Sequence, residues 1–169
     1  MYKQLFDDKD IDMALKEELG LKKDFASPEH EALLSIYYTA SIMKKRADDF
    51  FGQFGLTDVQ FNMMNLLYYE SGKEGGLSQA QISTMMLVNR ANITSLVDRM
   101  EKAEIVTRNA HTNDRRYNII KLTSKGKNLY TKVEPHYIAK VQEVMAPLDA
   151  SELRKLTTIL EKMRKTIGA

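Results

Sequence analysis

The chain has 169 residues, 43 % of them apolar and 28 % charged, and no cysteine; this is the make-up of a globular protein with one sizeable core and no disulfide, thiolate metal site or thiol chemistry. No run approaches the roughly 18 uncharged residues that span a membrane, and residues 1–8 show no basic region followed by an apolar run, so a cytoplasmic chain without a signal peptide is expected. The formal net charge of +2 is unevenly spread: residues 1–76 hold 9 Lys/Arg against 14 Asp/Glu, residues 77–130 hold 9 against 4, and residues 131–169 hold 7 against 5.

Residues 1–26 read as an acidic arm. Asp8, Asp10 and Asp12 imitate the first ligands of a calcium loop, but Met13 stands where that loop needs glycine and Leu19 where it needs glutamate. One short helix is expected near Ile11–Leu19. Ser27-Pro28 then supplies a cap and a proline at the first helical position. Leu33, Ile36, Ala40, Met43, Ala47 and Phe50 follow at spacings of three and four, an apolar stripe suited to packing on another helix, and Gly52 and Gly55 end the run.

Thr57-Asp58-Val59-Gln60 has the pattern of a capping box and opens a helix with Phe61, Met64, Leu67 and Tyr68 inward, ending near Glu70. Ser71–Gly76 is a loop; its paired glycines lack the strand and the Gly-Lys-Ser/Thr ending of a phosphate loop, so a flexible connector is expected. Ser78-Gln79-Ala80-Gln81 is a second capping box, opening a short helix through Met86. After the tight joint Leu87-Val88, Asn89 caps a helix whose Ile93, Leu96, Val97 and Met100 mark one buried face. Two short helices joined so closely form a helix-turn-helix.

The period then changes. Ile105–Ala110 and Tyr117–Leu122 are β-prone runs around the polar, basic segment 111–116, which together predict a hairpin. Thr123 caps a further helix carrying Leu129, Val133, Tyr137, Val141 and Val144, bent near its middle by Pro135. In the last helix Asp149 is the cap, Glu152 completes its capping box and Leu148 staples to Leu153. Leu153, Leu156, Leu160, Met163 and Ile167 repeat at three and four, a narrow seam that suits one partner helix.

Helix, helix and hairpin make a winged helix-turn-helix, so the expected fold is mainly α with a small β-hairpin wing. With the apolar face of the Asn89–Lys102 helix turned inward, Ala91, Asn92, Ser95 and Arg99 face out, flanked by Arg90 and Thr94. Small polar residues let a helix enter a major groove about 12 Å wide, where arginine and asparagine pair with guanine and adenine edges. Arg115 and Arg116 at the hairpin tip can reach phosphates or a narrow minor groove, and Asp114 is expected to pair with one of them and shape the tip. A solvated charged turn is the bland alternative for the tip, and chance is the bland alternative for the basic middle.

Leu77-Ser78-Gln79, the run Asn89 to Lys102, Asn113-Asp114-Arg115-Arg116 and Leu122-Thr123-Ser124-Lys125-Gly126 resemble the signature run of the MarR family of transcriptional regulators, densely from Thr57 to Leu129. The resemblance implies a homodimer with interlocked terminal helices. Residues 27–56 and 124–169 would form its helical dimerisation region, through Leu33, Ile36, Ala40, Leu153, Leu156, Leu160, Met163 and Ile167. Residues 57–123 would be the DNA-binding lobe. It also implies that the helix capped by Asn89 reads DNA, that Arg115 or Arg116 makes the minor-groove contact and that Ser78 and Gln79 lie near phosphates. Family members typically repress genes at palindromic sites and release DNA when a small, often aromatic or phenolic, effector binds. Glu104 departs from the pattern, standing where the family usually has glycine, so a left-handed residue is expected there.

Other classes fare worse. His30, His111 and His136 are scattered without metal-site spacing, and no nucleophile–base set or cofactor motif suggests an enzyme or a cofactor. Met63, Met64, Met85, Met86 and Met100 are expected as core filler, and the pairs Tyr37-Tyr38 and Tyr68-Tyr69 as core and interface residues or the lining of an aromatic-ligand cleft. A winged-helix protein-interaction module without DNA binding is the closest rival; it should show apolar anchors on the outward helix face.

Overall fold

The computed structural model describes residues 15–72, 75–110 and 118–168. The chain divides into two compact units, residues 1–58 and 59–169.

The first unit contains α1 (Leu15–Glu18) and α2 (Pro28–Gly52). The expected helix near Ile11–Leu19 is a single turn within the described residues, followed by an ion pair from Lys16 Nζ to Asp24 Oδ1 at 2.5 Å. Ser27 is extended and its hydroxyl accepts the His30 N–H at 3.4 Å, with Pro28 next, as the cap pattern requires. Along α2 the expected stripe is only partly covered: Ile36, Ala47 and Phe50 are half-buried, whereas Leu33, Ala40 and Met43 are exposed. Phe50 meets Phe51 and Phe54 edge-on at 4.9 and 5.4 Å. Gly55 then takes a φ of +69°, where a side chain would be strained.

α3 (Asp58–Tyr69) begins directly after Thr57 and leads into the second unit. Phe61, Met64 and Leu67 are buried as expected, and Met63 joins them. Tyr68 corrects the expectation: its position is 40 % exposed. A tyrosine on the rim of a helical stripe can bury its ring edge and still keep its hydroxyl wet.

The helix-turn-helix comprises α4 (Gln79–Met86) and α5 (Arg90–Lys102). Ile82, Ile93, Leu96, Val97 and Met100 are at most 2 % exposed. At about 1.5–3 kcal/mol for each fully buried side chain, this seam is a substantial part of the lobe's stability. The hairpin strands β2 (Val106–Ala110) and β3 (Asn118–Leu122) pair antiparallel from Val106↔Leu122 to Ala110↔Asn118.

A third strand, β1 (Leu77–Ser78), adds to the other edge of β3 with Leu77 opposite Ile120, so the sheet order is β1-β3-β2. Two residues are too few for any alternation to reveal. The glycine before them is not a spacer. Gly76 is buried, and a Cβ there would sit 2.3 Å from the Ile120 carbonyl oxygen.

α6 (Ser124–Met145) starts where the Thr123 hydroxyl accepts the Gly126 N–H at 2.9 Å, and runs as one helix through Pro135. Val133 is buried and Tyr137 half-buried, but Val141 is exposed and the largest fully buried side chain is Tyr130. The Tyr130 ring stacks on Phe61 at 5.4 Å, and its hydroxyl lies 2.6 Å from Asn65 Oδ1 and 3.0 Å from Glu134 Oε1. The Tyr69 hydroxyl bonds to the same Glu134 oxygen, so one carboxylate links the end of α3 to the middle of α6.

α7 (Ala150–Ile167) opens with the expected capping box: Asp149 Oδ1 accepts the Glu152 N–H at 2.9 Å, and Glu152 Oε2 accepts the Asp149 N–H at 2.8 Å. None of its residues is buried; Leu153, Leu160 and Met163 are half-buried and Leu156 and Ile167 are exposed. Among the described residues no helix is long and apolar enough to cross a membrane.

Candidate nucleic-acid interface

Ser78 sets the start of α4. Its hydroxyl accepts the Gln81 N–H at 3.2 Å, while Gln81 Oε1 accepts the Ser78 N–H at 2.9 Å, which satisfies two of the donors left open at a helix start. The α4–α5 joint is closed by backbone bonds from Leu87 N–H to the Thr84 carbonyl (3.3 Å) and from Val88 N–H to the Ser83 carbonyl (3.1 Å). The Ser83 hydroxyl adds a bond to the Val88 carbonyl at 2.6 Å. Asn89 then starts α5, its Oδ1 accepting the Asn92 N–H at 2.9 Å.

This frame orients α5 as the sequence pattern requires. Ile93, Leu96, Val97 and Met100 face the core, and Ala91, Asn92, Thr94, Ser95, Asp98 and Arg99 are exposed. Thr94 Oγ1 lies 3.4 Å from Gln79 Oε1, so two of the expected contact residues meet across α4 and α5. The Ser95 hydroxyl turns back to the Ala91 carbonyl at 3.2 Å and keeps a low profile on the helix surface. Ser78 and Asn89 act as caps here, which leaves the Asn89 amide nitrogen as its outward donor. The Arg90 side chain, and Asp114, Arg115 and Arg116 of the hairpin tip, lie outside the described residues.

One positioning residue was not singled out by sequence reasoning. Arg108, on β2, bonds to Asp98 and, at 2.5 Å, to Glu101 on α5; its backbone N–H also reaches Glu101 Oε1 at 3.2 Å. The two carboxylates of α5 are thereby neutralised and the hairpin is tied to the helix beside it. Nothing in either periodicity links a strand residue to a helix seven and ten positions earlier. The only clue is that Arg108 shares a strand face with the buried Val106.

Glu104 has a φ of +59°, the left-handed conformation expected where glycine is missing. Local bonds hold it: its carbonyl accepts the Thr123 hydroxyl at 2.6 Å, and its carboxylate pairs with Lys125 at 2.9 Å.

Comparison with known proteins places this geometry. The model of the MarR family matches residues 56–117. The HTH-type transcriptional repressor YetL of Bacillus subtilis (strain 168) is 30 % identical over 115 residues, covering 68 % of this chain and 68 % of the relative. The HTH-type transcriptional regulator MhqR of the same organism is 29 % identical over 109 residues, covering 64 % of this chain and 72 % of the relative. Among solved structures, AbsC, a MarR family transcriptional regulator from Streptomyces coelicolor, has a TM-score of 0.77 at 19 % identity, over 86 % of this chain and 98 % of that one. MepR of S. aureus, solved as a DNA complex, has a TM-score of 0.72 at 22 % identity, over 79 % of this chain and 96 % of that one.

Proposed function

The chain belongs to the MarR family, and from that premise we propose that it is a sequence-specific regulator of transcription that binds palindromic duplex DNA as a cytoplasmic homodimer. The observation that carries this reading is the outward face of α5. Ala91, Asn92, Ser95 and Arg99 are exposed, small or hydrogen-bonding, and backed by a fully buried apolar face. Such a helix fits into a major groove and presents a bidentate donor for guanine and an amide for adenine. A protein-interaction module would need apolar anchors on this same helix face.

In this reading Asn92, Ser95 and Arg99 reach base edges, while Asn89, Arg90 and Thr94 support them near the start of α5. Ser78 and Gln79 sit near phosphates at the start of α4, and Arg115 and Arg116 extend the contact through the wing, shaped by Asp114. The second copy docks through the apolar seams of Leu33, Ile36 and Ala40 on α2 and of Leu153, Leu156, Leu160, Met163 and Ile167 on α7. The protein acts as a repressor, and a small aromatic or phenolic effector releases it from DNA. YetL, a relative described as a transcriptional repressor, supports that sign of regulation.

Duplex affinity measured across salt concentrations tests the DNA reading. Lysines and arginines displace condensed counterions, so log K should fall steeply and linearly with log salt. An affinity independent of salt, or none for any duplex, overturns it.

A further inference from the structure

Two residues other than glycine hold a positive φ among the described residues: Glu104 and Leu87. Leucine rarely adopts that conformation, because its Cβ crowds the neighbouring carbonyl oxygen. Glu104 has compensating partners in Thr123 and Lys125. Leu87 has them only in its backbone. Its φ of +52° and ψ of +39° are held by the bonds that close the α4–α5 joint, and its side chain is 92 % exposed. It is more exposed than any other large apolar residue described. A glycine would close this turn without strain and without putting an isobutyl group into water.

Position gives that exposed group a use. Leu87 precedes Asn89, the cap of α5, by two residues, so its Cα lies within about 7 Å of the start of that helix. The N-terminal residues of a recognition helix are among those that meet base edges. The apolar feature that a major groove offers is the C5-methyl group of thymine. We propose that Leu87 is a specificity-determining residue of the DNA interface, which packs against a thymine methyl beside the bases read by α5. This rests on the DNA-binding reading above and adds to it a preference for one base at one position of each half-site. The rigid joint is what makes an apolar side chain suitable for the role. Its backbone is fixed before DNA arrives, so little freedom is lost on contact.

The test uses the full chain and duplexes selected by it from random-sequence DNA. Each thymine of a selected site is replaced in turn by deoxyuridine, which removes the methyl group alone. Dissociation constants are measured for the natural chain, for Leu87→Gly and for Leu87→Asn. Both variants accept a positive φ, and a thermal melt confirms that each is folded. One thymine per half-site should show a loss of about fourfold for the natural chain, the worth of one buried methyl, and no loss for either variant. Loss of affinity in the variants with equal deoxyuridine effects in all three proteins would make Leu87 a backbone contact and overturn the thymine assignment. Unchanged affinity and site preference in both variants would overturn it too, and would leave the exposed leucine to a protein partner. If the natural chain selects no duplex at all, the DNA reading of the whole lobe fails, and this proposal with it.

Discussion

Gly126 shows how one atom can decide a residue. A Cβ there would stand 2.1 Å from the Ile105 carbonyl oxygen, at the point where the start of α6 crosses the entry to β2. Backbone cannot yield as the tip of a flexible side chain can, so Gly126→Ala should destabilise the lobe by about 1–3 kcal/mol; chemical denaturation measures it, and an unchanged midpoint would contradict the packing described. Tyr130 is a second case. Burial foremost, then the Glu134 carboxylate, pushes its phenol above the usual 10.0, so the folded state holds the proton more tightly than the unfolded chain does. Stability from this group is therefore complete below about pH 10 and is lost as pH rises beyond it. Tyr130→Phe should flatten the alkaline limb of a melting-temperature profile, and an unaltered limb would exclude the phenol as its source. Neither role was legible in the sequence. Tyr130, Val133 and Tyr137 form as good a stripe as Leu129, Val133 and Tyr137, and only packing on Phe61 and Asn65 chooses the phase.

At the scale of elements, α4, α5, α6 and α7 start at the capping residues expected of them, because a cap is a local bond between residues three apart or fewer. The buried face of α5 was equally legible, since four apolar residues at helical spacing leave one orientation. β1 and the Arg108 link were not, since each joins residues brought together only by the fold. The wing carries its own prediction. Arg115→Ala and Arg116→Ala should each weaken duplex binding while leaving the melting temperature within about 1–2 °C of the natural chain, because a charge that serves only to contact DNA contributes little to stability. A large drop in melting temperature would instead make the hairpin tip a structural feature.

For the whole molecule, α7 is the informative element. It carries an apolar seam, yet within the single chain Leu156, Ile159 and Ile167 remain exposed and none of its residues is buried. Soluble proteins seldom leave such a row uncovered, and a second copy is the partner assigned to it here. Removal of residues 153–169 should produce a monomer in sedimentation velocity, with duplex affinity reduced at least tenfold as the second lobe's contribution is lost. A dimer that survives the truncation would remove the seam from the interface.

The sequence by itself determined the helix starts, the inward face of α5 and the family to which the chain belongs. The first two follow from bonds or periodicities spanning a few consecutive residues, and the third from the likeness of the Thr57–Leu129 run to a family signature. Tertiary structure alone decided that Gly76 and Gly126 are close-approach positions, that Tyr130 rather than Tyr68 fills the core, and that Arg108 joins the wing to the helix. It also left Leu87 standing out into solvent. These outcomes depend on atoms distant along the chain competing for the same space, and no local pattern encodes which of them prevails.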